Sequence, residues 1–146
     1  MARRVSEELR QLVAARADYV CEYCLIAEED SFLGCEVDHI IGLKHGGKSD
    51  PENLAYACVF CNRYKGSDIA SISEQTGSLV RFFNPRTDNW AEHFELDELH
   101  IIPTTEIGAV TARMLRFNDS ERILERRALD AVGRFPNARV IARIKK

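Results

Sequence analysis

Apolar residues begin to recur at helical spacing directly after Ser6, at Leu9, Leu12, Val13, Ala17 and Val20. Ser6 is a good N-cap, and Glu7 and Glu8 put negative charge where a helix N-terminus favours it. The pattern predicts a first helix from about Ser6 into Cys21, followed by a loop over 25–33. From Cys35 to Ile41 the spacing turns β-like, with Val37 and the Ile40-Ile41 pair. Gly46-Gly47 and Ser49-Asp50-Pro51 are turn signals. Asn53 to Ala57 is a second short apolar segment. It leads into a short helix through Cys61, Asn62 and Lys65 that stops near Gly66.

Beyond that point two hairpins are predicted. One spans 69–83 with Thr76-Gly77 at its turn, and the other pairs the Phe94 and Leu96 segment with Leu99 to Ile102. Thr104 or Thr105 caps a helix with Ile107, Val110, Met114 and Leu115 on one face. Asp119 or Ser120 caps a last helix with Leu124, Ala128, Ala131 and Val132 on its face. The expected architecture is α+β. A core with its N-terminal helix occupies 1–67, and a hairpin and helical extension occupies 68–146, the two packed as one unit. The change-over near 67–84 is too apolar for a free linker.

Composition adds limits. The chain has 146 residues, and its apolar and charged fractions are those of an ordinary soluble domain. No apolar run approaches the roughly 20 residues that span a bilayer, so no membrane role is expected. Met1-Ala2-Arg3-Arg4-Val5 is basic but lacks the apolar stretch of a signal peptide. A cytoplasmic location is expected, where thiols stay reduced. The net charge of −3 counts against a general affinity for nucleic acid. Its distribution softens that objection. Lys44, Lys48, Arg63 and Lys65 fall around one short stretch, and Arg134, Arg139, Arg143, Lys145 and Lys146 close the chain. The acidic residues gather at Glu28-Glu29-Asp30 and between Glu92 and Glu98. The C-terminal basic run reads most simply as a solvated face.

The five cysteines point to metal before they point to disulfides. Cys21 and Cys24 form one CxxC knuckle, Cys58 and Cys61 another, with residues 25–57 between them. Each knuckle presents two thiolates from a tight turn, and two knuckles complete a tetrahedron around Zn²⁺. Four protein ligands leave no open position for water, so the expected role is structural. Cys35 stands outside the pattern and reads as a small buried hydrophobe.

Between the knuckles stands Glu36-Val37-Asp38-His39-Ile40-Ile41. Gly46-Gly47, Asn53-Leu54 and Cys61-Asn62-Arg63-Tyr64-Lys65-Gly66 follow. Together these residues resemble the HNH endonucleases of the zinc-stapled branch, whose ββα-metal motif carries Asp-His, then Asn, then His or Asn. The likeness is close over 21–66. It extends to Ser6–Cys24, Phe83-Asn84-Pro85-Arg86, Trp90 and His93-Phe94, as in small stand-alone bacterial members. No function is assigned to that extension.

The chemistry of phosphodiester hydrolysis accounts for the residue types. His39 suits a general base, because a neutral imidazole can take a proton from water near pH 7. Asp38 and Asn62 offer oxygen atoms to a hard divalent ion, Mg²⁺ or Mn²⁺. Adjacent strand residues face opposite ways, so the strand is expected to end or bend at Asp38-His39, letting the base and the metal ligand approach a phosphate from different sides. The family likeness gives Asn53 the role of holding the loop and orienting the base. Having Asn62 where many members have His disfavours Zn²⁺ or Ni²⁺ at this site. Lys65 is either a phosphate contact or an exposed helix-end lysine. Lys44, His45 and Arg63 are further candidates for contact with nucleic acid, and for His45 a loop role is favoured. His93, His100 and Trp90 read as packing residues. The expected partner is nucleic acid, double-stranded DNA first, cut or nicked to leave 5′-phosphates. The alternatives are a catalytically silent zinc module that binds nucleic acid, and a ribonuclease or toxin-like effector using the same site.

Overall fold

The structure is a computed structural model that describes residues 5–145. The basic N-terminal residues Met1 to Arg4 and the final Lys146 lie outside the described residues. The chain falls into two compact units, Met1–Ile69 and Ala70–Lys146.

In the first unit α1 spans Glu7–Arg16. Ser6 caps it, accepting a hydrogen bond from the Leu9 amide at 3.2 Å. The helix was expected to run into Cys21 but stops at Arg16, because Asp18 and Tyr19 adopt left-handed backbone angles, φ 56° and 57°. No glycine marks this reversal, which is why the periodicity ran on through it. The reversal carries the chain into an isolated bridge between Val20 and Ala27, which closes the first knuckle. Arg16 then reaches across and donates to the carbonyls of Pro51 and Leu54 at 2.9 and 2.7 Å.

The centre of this unit is a two-stranded antiparallel hairpin. Strand β1, Cys35–His39, pairs with β2, Leu54–Cys58, with Cys35 opposite Cys58, Asp38 opposite Ala55 and His39 opposite Leu54. Every residue of β2 is buried. Helix α2, Val59–Lys65, follows without a break and ends at Gly66, which has a φ of 53°. Both α1 and α2 pack on the hairpin. A lone two-stranded hairpin is marginal in water, so these helices and the cysteine cluster hold it in place.

The second unit begins with a small hairpin, β3 (Ala70–Ile72) against β4 (Leu79–Arg81). A one-turn helix, α3 (Trp90–His93), leads into a second hairpin, β5 (Phe94–Asp97) against β6 (His100–Pro103). Three helices follow: α4 (Glu106–Met114), α5 (Ser120–Ala131) and α6 (Ala138–Ile144). Thr105, not Thr104, caps α4 by accepting from the Gly108 amide at 3.0 Å. Phe94 centres an aromatic core, with its ring 5.5 Å from Phe83, 5.1 Å from Trp90 and 5.6 Å from Phe117. His93 packs edge-on against Phe83. His100 is exposed, against the packing role expected for it.

Two features of this unit depart from the apolar pattern. Helix α6 is additional to the two expected. It buries Val140, and Asn137 caps it. The expected apolar face of α5 is on the outside: Leu124 is 62% and Val132 68% exposed, and Ala128 and Ala131 are exposed too. Arg122 and Arg126 take the buried side instead. Arg122 donates to the Leu115 and Arg116 carbonyls, and Arg126 to those of Leu99 and Phe117. Carbonyls just past the end of α4 need donors, and cations suit that end of a helix. That demand outweighs the burial of Leu124.

Candidate active site and metal centre

The four knuckle cysteines meet at one end of the hairpin. Their sulfurs all lie within 4.8 Å of one another, and all four residues are buried. Cys24 Sγ and Cys58 Sγ are 3.7 Å apart. A tetrahedron with Zn–S bonds of about 2.3 Å has sulfurs about 3.8 Å apart, so the cluster suits a structural Zn²⁺. Cys24 N–H points at Cys21 Sγ and Cys61 N–H at Cys58 Sγ, each at 3.4 Å. Such amides stabilise thiolate charge in a knuckle. Burial pushes the Cys61 thiol well above its ordinary pKa. A bound cation reverses that preference, which is why such sites couple metal binding to folding. Cys35 is buried beside the cluster, as a small hydrophobe would be.

Asp38 and His39 lie at the other end of β1 and point to opposite sides, as strand alternation requires. Asp38 is 4% exposed. Its Oδ2 accepts from the Tyr23 hydroxyl at 2.8 Å, and its Oδ1 from Lys65 Nζ at 3.2 Å. Lys65 is 2% exposed and also donates to the His39 carbonyl at 3.1 Å. Both roles considered for Lys65, exposed lysine and phosphate contact, give way to a third, a buried ion pair. Burial pushes the Asp38 carboxyl above its usual range, although Lys65 and Tyr23 pull the other way.

The His39 ring is partly exposed, and its Nε2 lies 2.9 Å from Ser49 Oγ. The loop between β1 and β2 is tied by Asn53. Its Oδ1 accepts from the Ile41 amide at 2.9 Å, and its Nδ2 donates to the Ile41 and Lys48 carbonyls at 2.9 and 2.8 Å. Its carbonyl also accepts from Ile40. Gly47 sits against this clamp. A Cβ there would fall 1.7 Å from the Ile41 carbonyl oxygen and 2.9 Å from Asn53 Nδ2, so only glycine fits.

Asn62, in α2, donates from Nδ2 to Glu36 Oε1 at 3.1 Å. Helix α2 therefore lies across β1 with Asn62 against Glu36 and Lys65 against Asp38. Lys44, His45 and Arg63 are exposed. Tyr23, Ser49 and Glu36 did not emerge as site residues from the sequence. Glu36 had a signal, its position two before Asp38 and hence on the same strand face. Tyr23 had one too, since it sits inside a knuckle.

An antiparallel hairpin, a short helix across it, a four-cysteine cluster suited to zinc at one end and Asp-His at the other define a ββα module. Residues 21–68 match the family model of the HNH endonucleases. That span runs from the first knuckle cysteine to just past α2, so this segment is an HNH domain. No curated protein and no solved structure matches the chain. Among the described residues no helix is long and apolar enough to cross a membrane.

Proposed function

We propose that this chain is a metal-dependent endonuclease that nicks or cuts DNA, leaving 5′-phosphates. The observation that carries this reading is the pairing of His39 with Ser49 at the mouth of a loop clamped by Asn53, next in β1 to the Asp38 that faces α2. In the tautomer whose Nε2–H is donated to Ser49, the Nδ1 lone pair of His39 is left to take a proton from water. Asn53 sets the loop, and so the ring.

Asp38 and Asn62 are oxygen donors on that seam, a donor set that fits a hard divalent ion. Mg²⁺ or Mn²⁺, when bound, supplies charge neutralisation at the phosphoryl and leaving oxygens. Asp38 keeps its bonds to Tyr23 and Lys65 in this role, since each carboxylate oxygen has a second lone pair. Exposed Lys44, His45 and Arg63 meet the phosphate backbone. Their few charges on an acidic chain make binding weak and salt-sensitive. Zn²⁺ in the four-cysteine site is structural, and cysteines spaced as zinc ligands rather than as disulfides fit a cytoplasmic location.

Conversion of supercoiled plasmid to nicked or linear forms with Mg²⁺ or Mn²⁺ tests this. EDTA and His39→Ala should each abolish it. Cleavage of RNA alone would transfer the reading to a ribonuclease. Binding of nucleic acid with no cleavage under several divalent ions would leave a silent module and refute the enzyme.

A further inference from the structure

We infer that Glu36 is a positioning residue for Asn62, fixing its amide so that the oxygen end is presented to the divalent ion. This rests on the nuclease reading above. Glu36 and Asp38 are two apart on β1 and share a face. Asn62 and Lys65 are three apart on α2 and share one too. The two elements therefore meet through two cross-seam contacts in step, Asn62 with Glu36 and Lys65 with Asp38. They differ in kind. The Lys65–Asp38 pair is buried and holds the fold, whereas Glu36 is exposed and Asn62 half-buried. A solvent-washed hydrogen bond adds little to stability.

What the exposed contact does is orient. A side-chain amide has two ends of nearly equal size, and a cation takes only the oxygen. A carboxylate accepts and cannot donate. Glu36 Oε1, 3.1 Å from the Asn62 side chain, therefore selects the nitrogen end for itself and turns Oδ1 away. Without Glu36 the amide is free to rotate and to offer its NH₂ group to the ion. Carboxylates behind a metal ligand commonly have this task, and losing one costs about 10- to 100-fold in metal affinity.

The test is Mn²⁺ binding, followed by the paramagnetic resonance of free Mn²⁺, on the full chain with zinc in its cysteine site. Plasmid nicking is followed alongside as a function of Mn²⁺. Glu36→Ala should weaken Mn²⁺ binding by about 10-fold or more. The Mn²⁺ needed for half-maximal nicking should rise in parallel, with the rate recovered at saturating Mn²⁺. Glu36→Gln can accept from or donate to the Asn62 amide, so it should recover only part of the affinity. Both variants should unfold at the wild-type temperature without Mn²⁺. Unchanged affinity in Glu36→Ala overturns the inference and leaves the nuclease reading standing. Gln as weak as Ala overturns it by making the carboxylate itself a ligand, and a lowered unfolding temperature by making its role structural. A wild type that binds no Mn²⁺ removes both readings.

Discussion

Replacing Lys65 by methionine keeps the aliphatic stem and deletes the ammonium that lies 3.2 Å from Asp38 Oδ1 and 3.1 Å from the His39 carbonyl. At 3.2 Å and an effective dielectric constant of about 20, the lost attraction is about 5 kcal/mol. Stranding one partner of a buried pair costs about 3–5 kcal/mol in practice. The carboxyl has an escape, which is protonation. From an unfolded-state pKa of about 3.9, carrying a proton at pH 7 costs about 4 kcal/mol, at 1.36 kcal/mol per pH unit. At pH 5.5 the same step costs about 2 kcal/mol. The deficit of Lys65→Met should therefore be capped near 4 kcal/mol at neutral pH and shrink by about 2 kcal/mol on mild acidification.

The sign follows from the direction of the shift. Burial already raises the Asp38 carboxyl, and removing Lys65 removes the strongest influence that lowers it. A group whose folded pKa is raised gives its full stability below the unfolded value. That stability is lost as pH rises through the folded one. Urea unfolding of zinc-loaded wild type and variant, near pH 7 and near pH 5.5, reads both numbers. Adding Asp38→Asn to Lys65→Met should recover much of the loss. A deficit under about 1 kcal/mol at pH 7, or an equal deficit at both pH values, would refute a buried charge pair as the clamp.

Three further outcomes are expected. Ser49→Ala should slow plasmid nicking while leaving stability nearly unchanged, and Ser49→Thr should restore the rate; equal rates in all three would detach Ser49 from His39. Cys58→Ser should lose bound zinc, measured by metal analysis, and with it the fold of the first unit, since metal binding in such sites is folding free energy. Asp88 carries a bidentate contact from Arg81 at 2.8 and 3.0 Å and also accepts from the Asn84 amide. Burial alone would raise its carboxyl, but these bonds leave it below the usual range. Its contribution is present above the unfolded pKa of about 3.9 and lost as pH falls through the folded value. Asp88→Asn should accordingly melt lower than wild type at neutral pH and alike at strongly acid pH. The gap should be small, because Arg81 is 52% exposed.

The sequence reveals most where a short-range rule has one solution. Two CxxC pairs give the four-sulfur cluster, because a knuckle is local and only its partner must be found. Both later hairpins follow from alternation bounded by turn residues. It reveals least where a polar group meets a backbone need created elsewhere. The burial of Arg122 and Arg126 depends on the carbonyls that end α4 and on that of Leu99 in the turn between β5 and β6, and an apolar pattern along α5 carries no sign of such backbone needs. Lys65 is the same case at the site. Its spacing from Asn62 was legible, but not the buried Asp38 three-dimensionally opposite. Ser49 stood among turn residues and was read as one, until the clamp by Asn53 brought the loop back toward His39.

The placement of these contacts separates two kinds of residue within the Asp-His-Asn-Asn set. The hairpin of β1 and β2 is held at one end by the cysteine cluster and at the other by Lys65 and Tyr23 on Asp38. Asp38 is thus a fastening of the fold as well as a candidate ligand. Substituting it disturbs stability and chemistry together, and a lost activity would not say which had failed. His39, Asn62, Glu36 and Ser49 are each partly or fully exposed to solvent. Their side chains stabilise little, so a change in rate or metal affinity there reports on the site itself. The discriminating experiments belong at those four positions, with Asp38 interpreted only against the measured stability of each variant.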